Sequence, residues 1–289
     1  MKNFVFDNKI HLVLCAFFAT LAWATLLENK ISVIPVLTIS LCVFSIYQVN
    51  RYTDVIEDQI NAPAALYRAI NNKSIILALV VISTIFSLSL SSLGGVWSLA
   101  SIVFLYFLGI FYNMDINIAI IKIKLKRLKR VFLLKNIVPS FTWAFLIIIY
   151  PIIFSHQDID FQDWLIFIYL CSQVFIIEVL WDIRDLKGDL ACDLATLPIR
   201  YGISRSKKII MTINIAIGVI ILLFIIYNKL TPYALLINLY TFLFLPYYIK
   251  LYDSKRFKTE IASHLLIILI TLTYIAMYLC LKLMSCCLI

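Results

Sequence analysis

The chain has 289 residues, of which 63% are hydrophobic and 14% charged, and its mean hydropathy is +0.98. That balance excludes an ordinary soluble domain. The net charge of +9 comes from basic residues strung between apolar runs. There is no soluble basic domain of the kind nucleic-acid binding needs, so that function is excluded too.

Hydropathy places membrane spans near residues 10–27, 31–49, 74–93, 95–112, 131–153, 164–181, 209–227, 231–249 and 261–281. The fold class expected is therefore an all-α integral membrane protein of about nine helices. Six Gly and seven Pro leave little room for linkers, and no shift in composition divides the chain. Residues 1–289 are read as a single domain. The first span follows a mildly polar Met1–Lys9 and lacks a small-residue cleavage site, so it is read as a retained helix and not a signal peptide.

Lys and Arg set the expected orientation. With the N-terminus inside, all of the 25 basic residues except Lys30, Lys229 and Lys282 face the cytoplasm. One span more or fewer would scramble that asymmetry. The basic run from Lys122 to Arg130 then reads mainly as an anchor against anionic lipid head groups. The expected location is the cell (inner) membrane, with membrane lipid as a partner.

Two acidic stretches break the apolar pattern, and both fall at cytoplasmic ends. The first closes the second span, where Asn50, Asp54 and Asp58 are spaced four and four. On a continuous helix each step of four turns about 400°, so the three share a face about 80° wide. The second closes the sixth span, where Asp182, Asp185 and Asp189 follow Glu178. A carboxylate at the centre of a membrane helix costs about 2.5–3.5 kcal/mol, so two acidic faces need a reason. Together they form a cradle suited to Mg²⁺ and a diphosphate, since hard cations bridge carboxylates to phosphate oxygens. Arg51 and Arg68 flank the first stretch, and Arg184 and Lys187 interrupt the second. Arg127, Lys129, Arg130 and Lys135 precede the fifth span. Guanidinium and ammonium groups so placed suit a diphosphate. Lys135 and Asn136 stand out because they begin an apolar helix.

Several other residues carry less. The seven cysteines form no C-x-x-C pair, and Cys15, Cys42, Cys171 and Cys280 lie in apolar runs. The terminal Cys286-Cys287-Leu288-Ile289 has the form of a prenylation box but falls on the non-cytoplasmic side. His11, His156 and His264 are isolated in sequence. Asp193 reads as a loop carboxylate, and Pro63 and Pro198 as helix-ending devices. Tyr47, Tyr52, Tyr112, Trp143, Tyr169 and Trp181 are candidates for an aromatic pocket that steadies a carbocation.

These residues resemble the UbiA superfamily of intramembrane prenyltransferases. Asn50, Asp54 and Asp58 match its Asn-x-x-x-Asp-x-x-x-Asp motif, and Asp185 and Asp189 match its Asp-x-x-x-Asp motif, with Asp182 leading. Gly188, Thr196-Leu197-Pro198 to Gly202, Tyr112-Asn113, Arg127 to Arg130 and Lys135-Asn136 are also similar. The resemblance implies helices around a central cavity, a cytoplasmic cap and a lateral opening to lipid. It implies Mg²⁺ held by Asn50, Asp54, Asp58, Asp182, Asp185 and Asp189, with Asp54, Asp58, Asp185 and Asp189 as the catalytic set. The diphosphate of an isoprenoid donor would meet Arg51, Arg68, Arg127, Lys129, Lys135, Arg184 and Lys187, and the prenyl group would pass to a lipophilic, small-molecule acceptor, aromatic or otherwise.

The chain also departs from the family pattern. Where many members carry Arg and Pro at the start of helix one, it has Lys9 and His11, and Arg68-Ala-Ile replaces an Arg-Pro-x-Pro segment. The missing Arg argues against a carboxylated acceptor such as 4-hydroxybenzoate. It is compatible with the alternative of a UbiA-type terpene cyclase that needs no acceptor. A cation transporter, the distant alternative, would hold its charges near the midplane rather than at helix ends.

Overall fold

The computed structural model describes residues 5, 8–118, 123–125, 127–252 and 260–287. Within these, eight helices are long and apolar enough to cross a membrane, and the 17-residue α1, Ile10–Leu26, adds a shorter one. The spans after it are α2 (Val33–Thr53), α5 (Lys73–Ser92), α6 (Gly95–Asn113), α7 (Leu134–Phe154), α8 (Phe161–Arg184), α10 (Leu197–Ile226), α11 (Pro232–Lys250) and α12 (Glu260–Cys287). Short helices α3 (Val55–Asn61) and α4 (Pro63–Asn71) follow α2, and α9 (Leu186–Ala191) follows α8. The expected architecture is met. Leu288 and Ile289 of the terminal box lie outside the described residues, as do Lys122 and Lys126 of the basic run.

From α1 to α8 each span packs against the next, α8 continues to α10 and α10 to α11, and α12 returns to α1. Lipid offers no hydrophobic drive between helices, so close packing and hydrogen bonds must hold them. Ala16, Ala19 and Ala22 are fully buried on α1, and small residues there let neighbouring backbones approach. Between α5, α6 and α7 the glue is polar: Ser91 and Ser98 lie 3.0 Å apart, and the Tyr150 hydroxyl donates to Ser91 at 3.1 Å. Large apolar side chains point outward instead, among them Phe86, Trp97 and Leu243, as a lipid-facing surface requires.

Three features were not legible in the sequence pattern. First, neither acidic stretch is one continuous helix. The backbone breaks at Asp54 (φ −102°, ψ 28°) and at Asp185 (φ −92°, ψ 12°), and a short helix resumes after each. Asp58 and Asp189 therefore sit on α3 and α9, which pack against each other. Second, a short antiparallel hairpin, β1 (Ile116–Ile118) with β2 (Ile123–Leu125), joins α6 to α7. Third, α10 begins about three turns before its apolar run, with Pro198 in its first turn and a bend at Gly202, whose φ is +79°. Pro63 likewise begins α4 rather than ending a helix, which suits a residue with no N–H to satisfy.

Candidate active site

The breaks at Asp54 and Asp185 turn the chain so that α3 and α9 meet over one end of the bundle. Their contact is close. The Gly188 N–H donates to Asn61 Oδ1 at 3.2 Å, and a Cβ on Gly188 would stand 2.3 Å from the Asn61 amide nitrogen. A side chain there would push the Asn61 amide aside and break this hydrogen bond. Beneath this contact lies a cavity of about 210 Å³ walled by α1, α2, α3, α6, α7, α8, α9 and α12.

Asn50, Arg51, Asp54, Asp58, Lys129, Lys135, Asp182, Arg184, Asp185 and Asp189 all line it. Arg127 stands just behind, and Arg68 and Lys187 do not reach the wall; Lys187 is exposed on α9. Those two sequence expectations are thus not brought to the site. Asp193 lies in the turn after α9 with φ +54°, exposed, as a loop carboxylate.

The acidic groups are held by cations. Lys129 Nζ contacts Asp54 Oδ1 and lies 2.8 Å from Glu57 Oε2, while Arg127 reaches Glu57 at 3.0 Å and Asp54 at 3.8 Å. Arg127 is itself placed by Asp115, whose carboxylate accepts from its backbone N–H at 3.0 Å. At the second stretch Lys135 Nζ lies 2.8 Å from Asp182 Oδ1 and 2.5 Å from Asp189 Oδ2. The Asn136 amide donates to Asp182 Oδ2 at 2.7 Å, and Tyr112 donates to the Lys135 carbonyl at 2.9 Å. Leu133, with φ +69°, turns the chain into α7 so that Lys135 and Asn136 face α8. Arg184 pairs with its neighbour Asp185.

Burial shifts three of the cavity's carboxyls upward, those of Asp54, Asp58 and Asp189. Asp54 is raised to about 6 by desolvation, assisted by Glu57 and opposed by Lys129. Asp189 is raised to about 7, again by burial first, with Lys135 opposing and Asp182 assisting. Asp58 is raised for the same reason, with Lys9 and Arg51 opposing. Carboxylates this reluctant to ionise favour a strong positive partner.

Among the described residues no three His, Cys, Asp or Glu side chains converge on one point as a protein-only metal cage. The donor set nevertheless fits Mg²⁺, which usually takes only one or two carboxylates and completes its shell with water and substrate phosphates. Seven carboxyl groups share the cavity, five of them aspartates, and the buried Oδ1 atoms of Asn50 and Asn113 in its wall have no hydrogen-bond partner among the described residues. Oxygen acceptors left unsatisfied in a buried site are what a hard cation or a hydrated one would use.

Deeper in the bundle the wall becomes aromatic. Tyr47, Tyr112, Trp143 and Trp181 line the cavity, and Trp143 Nε1 donates to the Tyr47 hydroxyl at 2.8 Å. Tyr52 and Tyr169 do not belong to it: Tyr52 donates to the Ala69 carbonyl, and Tyr169 pairs with Thr241 in another region. Nor are His11 and His264 isolated, since they meet edge to face with centroids 4.4 Å apart and both line the cavity. Helices α1 and α12 bring them together from opposite ends of the sequence, a pairing no local pattern reveals. Sequence reasoning also missed Glu57 and Glu178 as site residues. Each was legible as an acid within its motif, three residues after Asp54 and four before Asp182.

This is a multi-pass membrane protein with two acidic helix ends closing a cavity that is charged at its mouth and aromatic within. The chain belongs to the UbiA prenyltransferase family, whose sequence profile matches residues 12–281. Its fold is that of a UbiA homologue from Archaeoglobus fulgidus, with a TM-score of 0.69 at 12% identity over 96% of this chain and 98% of that one. The same homologue bound to GPP and Mg²⁺ matches with a TM-score of 0.66 at 11% identity, over 96% and 99% of the two chains. A digeranylgeranylglyceryl phosphate synthase matches with a TM-score of 0.58 at 18% identity, also over 96% and 99%. No curated protein matches by sequence.

Proposed function

We propose that this chain, as a single domain, is a Mg²⁺-dependent intramembrane prenyltransferase. It takes an isoprenoid diphosphate from the lipid phase and passes the prenyl group to a lipophilic small-molecule acceptor, working at the cytoplasmic face of the cell membrane. The observation that carries this is the cavity itself: Asp54, Asp58, Asp182, Asp185 and Asp189 face Lys129 and Lys135 across its mouth, above an aromatic interior. Membership of the UbiA prenyltransferase family and the GPP- and Mg²⁺-bound homologue support the same reading.

The five aspartates and Asn50 would hold Mg²⁺, which when bound supplies charge neutralisation for the departing diphosphate. Lys129, Lys135, Arg51 and Arg184 bind the diphosphate oxygens and stabilise the negative charge that builds there as the allylic C–O bond breaks. For this, Lys129 and Lys135 leave their carboxylate partners and turn to the phosphates. Tyr47, Tyr112, Trp143 and Trp181 keep water from the allylic cation and offer it ring faces.

The test is incubation of purified protein with Mg²⁺, a panel of prenyl diphosphates and membrane-lipid extract, with products identified by mass spectrometry. Mg²⁺-dependent diphosphate release with a prenylated acceptor is expected. Absence of release with every donor would overturn the reading, and rapid release with a cyclic product from donor alone would replace transfer with cyclisation.

A further inference from the structure

Two acidic residues of the cavity wall, Glu57 and Glu178, are used by neither motif; Glu57 is paired with Arg127 and Lys129, and Glu178 is not. It lies on α8 six residues inside the helix end at Arg184, about 9 Å into the span. It precedes Asp182 by four residues and Asp185 by seven, so it continues their face about one turn deeper. There it shares the wall with Tyr47, Tyr112, Trp143 and Trp181. Among the described residues no hydrogen bond or ion pair to Glu178 exists. A carboxylate placed this deep costs several kcal/mol unless something donates to it.

None of the donors in the wall around it reaches it: Trp181 Nε1 makes no hydrogen bond among the described residues. Tyr112 donates to the Lys135 carbonyl, and Trp143 donates to Tyr47. A prenyl diphosphate brings no donor either, because its tail is hydrocarbon and its head is acceptor oxygen. A second substrate with a hydroxyl would bring such a donor to it. The position agrees: with the diphosphate among Asp182, Asp185 and Asp189, the allylic carbon points inward, toward the level of Glu178.

We infer that Glu178 is the acceptor-side catalytic carboxylate, binding the hydroxyl of an alcohol or phenol acceptor and taking its proton during transfer. The inference rests on the prenyl-transfer reading above. The donor's C–O bond breaks with its electron pair leaving on the diphosphate. A lone pair of the acceptor oxygen forms the new bond to the allylic carbon. The O–H pair stays on oxygen, and the proton passes to a Glu178 carboxylate oxygen. General-base assistance of this kind is worth about 10²–10⁴-fold.

The experiment compares wild type, Glu178→Gln and Glu178→Asp in lipid nanodiscs with Mg²⁺ and geranyl diphosphate. The acceptor probes are dodecanol, a dodecyl glycerol ether and 1-naphthol, with their methyl ethers as controls. The readout is the ratio of prenylated acceptor to prenyl alcohol formed by hydrolysis. We expect wild type to use at least one hydroxyl probe and no methyl ether. Glu178→Gln should lower the ratio about 100-fold, and Glu178→Asp should recover part of it. Quenching of Trp143 and Trp181 fluorescence by 1-naphthol, measured without donor, should weaken in Glu178→Gln. An unchanged ratio and unchanged quenching in Glu178→Gln would overturn the inference, as would transfer and hydrolysis falling in parallel or no hydroxyl probe being used. Absence of any Mg²⁺-dependent diphosphate release in wild type would instead sink the prenyl-transfer reading.

Discussion

The two acidic helix ends are built alike and neutralised differently. Each has a backbone break at an aspartate, a short helix beyond it and a second aspartate on that helix. At the first, Asp54 and Glu57 face Lys129 and Arg127, two negative charges against two positive, with both cations supplied by the segment ahead of α7. At the second, Asp182 and Asp189 share Lys135 alone, helped by the neutral amide of Asn136. The second end therefore carries one negative charge in excess. An added cation finds its deepest unfilled demand there, whereas at the first end the two cations already match Asp54 and Glu57. Similar motifs thus divide the work according to what stands opposite them.

The largest effect should come from removing the carboxylates. Asp54→Ala, Asp58→Ala, Asp185→Ala and Asp189→Ala should each reduce turnover to background while the protein still inserts and purifies. Asp193→Ala, in the exposed turn, should stay within about twofold, the size expected of a surface change. Turnover of Asp193→Ala as low as that of Asp185→Ala would break the division drawn above.

Loss of a cation should separate the two ends next. Lys135→Met leaves Asp182 and Asp189 without a positive partner among the described residues, and breaking a buried pair in this way costs roughly 3–5 kcal/mol. Lys129→Met leaves Arg127 still within reach of both Asp54 and Glu57. Thermal melting in detergent should show the Lys135 variant well below the Lys129 variant, although Lys129 is only 2% exposed. The reverse order would show that burial, and not the count of opposing charges, governs these sites.

The smallest effect is in pH. Asp54 and Asp189 are raised to about 6 and about 7, so the folded chain holds protons on them that the unfolded chain has already lost. Their contribution to stability is fully present below about pH 4 and is lost as pH rises through about 6 and then 7. Mg²⁺ needs the ionised forms, so its affinity should rise over the same interval. Melting curves between pH 5 and 8 should show the stabilisation by Mg²⁺ growing with pH. A pH-independent Mg²⁺ shift would remove these two carboxyls from the metal's surroundings.

Much of this protein is written in its sequence because the membrane enforces simple rules. Long apolar runs must be helices, since lipid cannot satisfy a bare backbone. An acid in such a run is expensive enough to stand out, which is why Asp54, Asp58, Asp182, Asp185 and Asp189, and Lys135 at the start of its helix, were recognisable residue by residue. What the tertiary structure decided is which charges face which. The break at Asp54 moved Asp58 onto α3, a rotation no four-residue spacing announces. Glu57 became the counter-ion of Lys129 and Arg127 because a segment 70 residues later folds beside it. Glu178 makes no hydrogen bond or ion pair among the described residues, and His11 met His264 only because α12 closes on α1. Periodicity and cost are local properties and can be read along a chain. Charge pairing is fixed by distance in space, and only the packed bundle sets that distance.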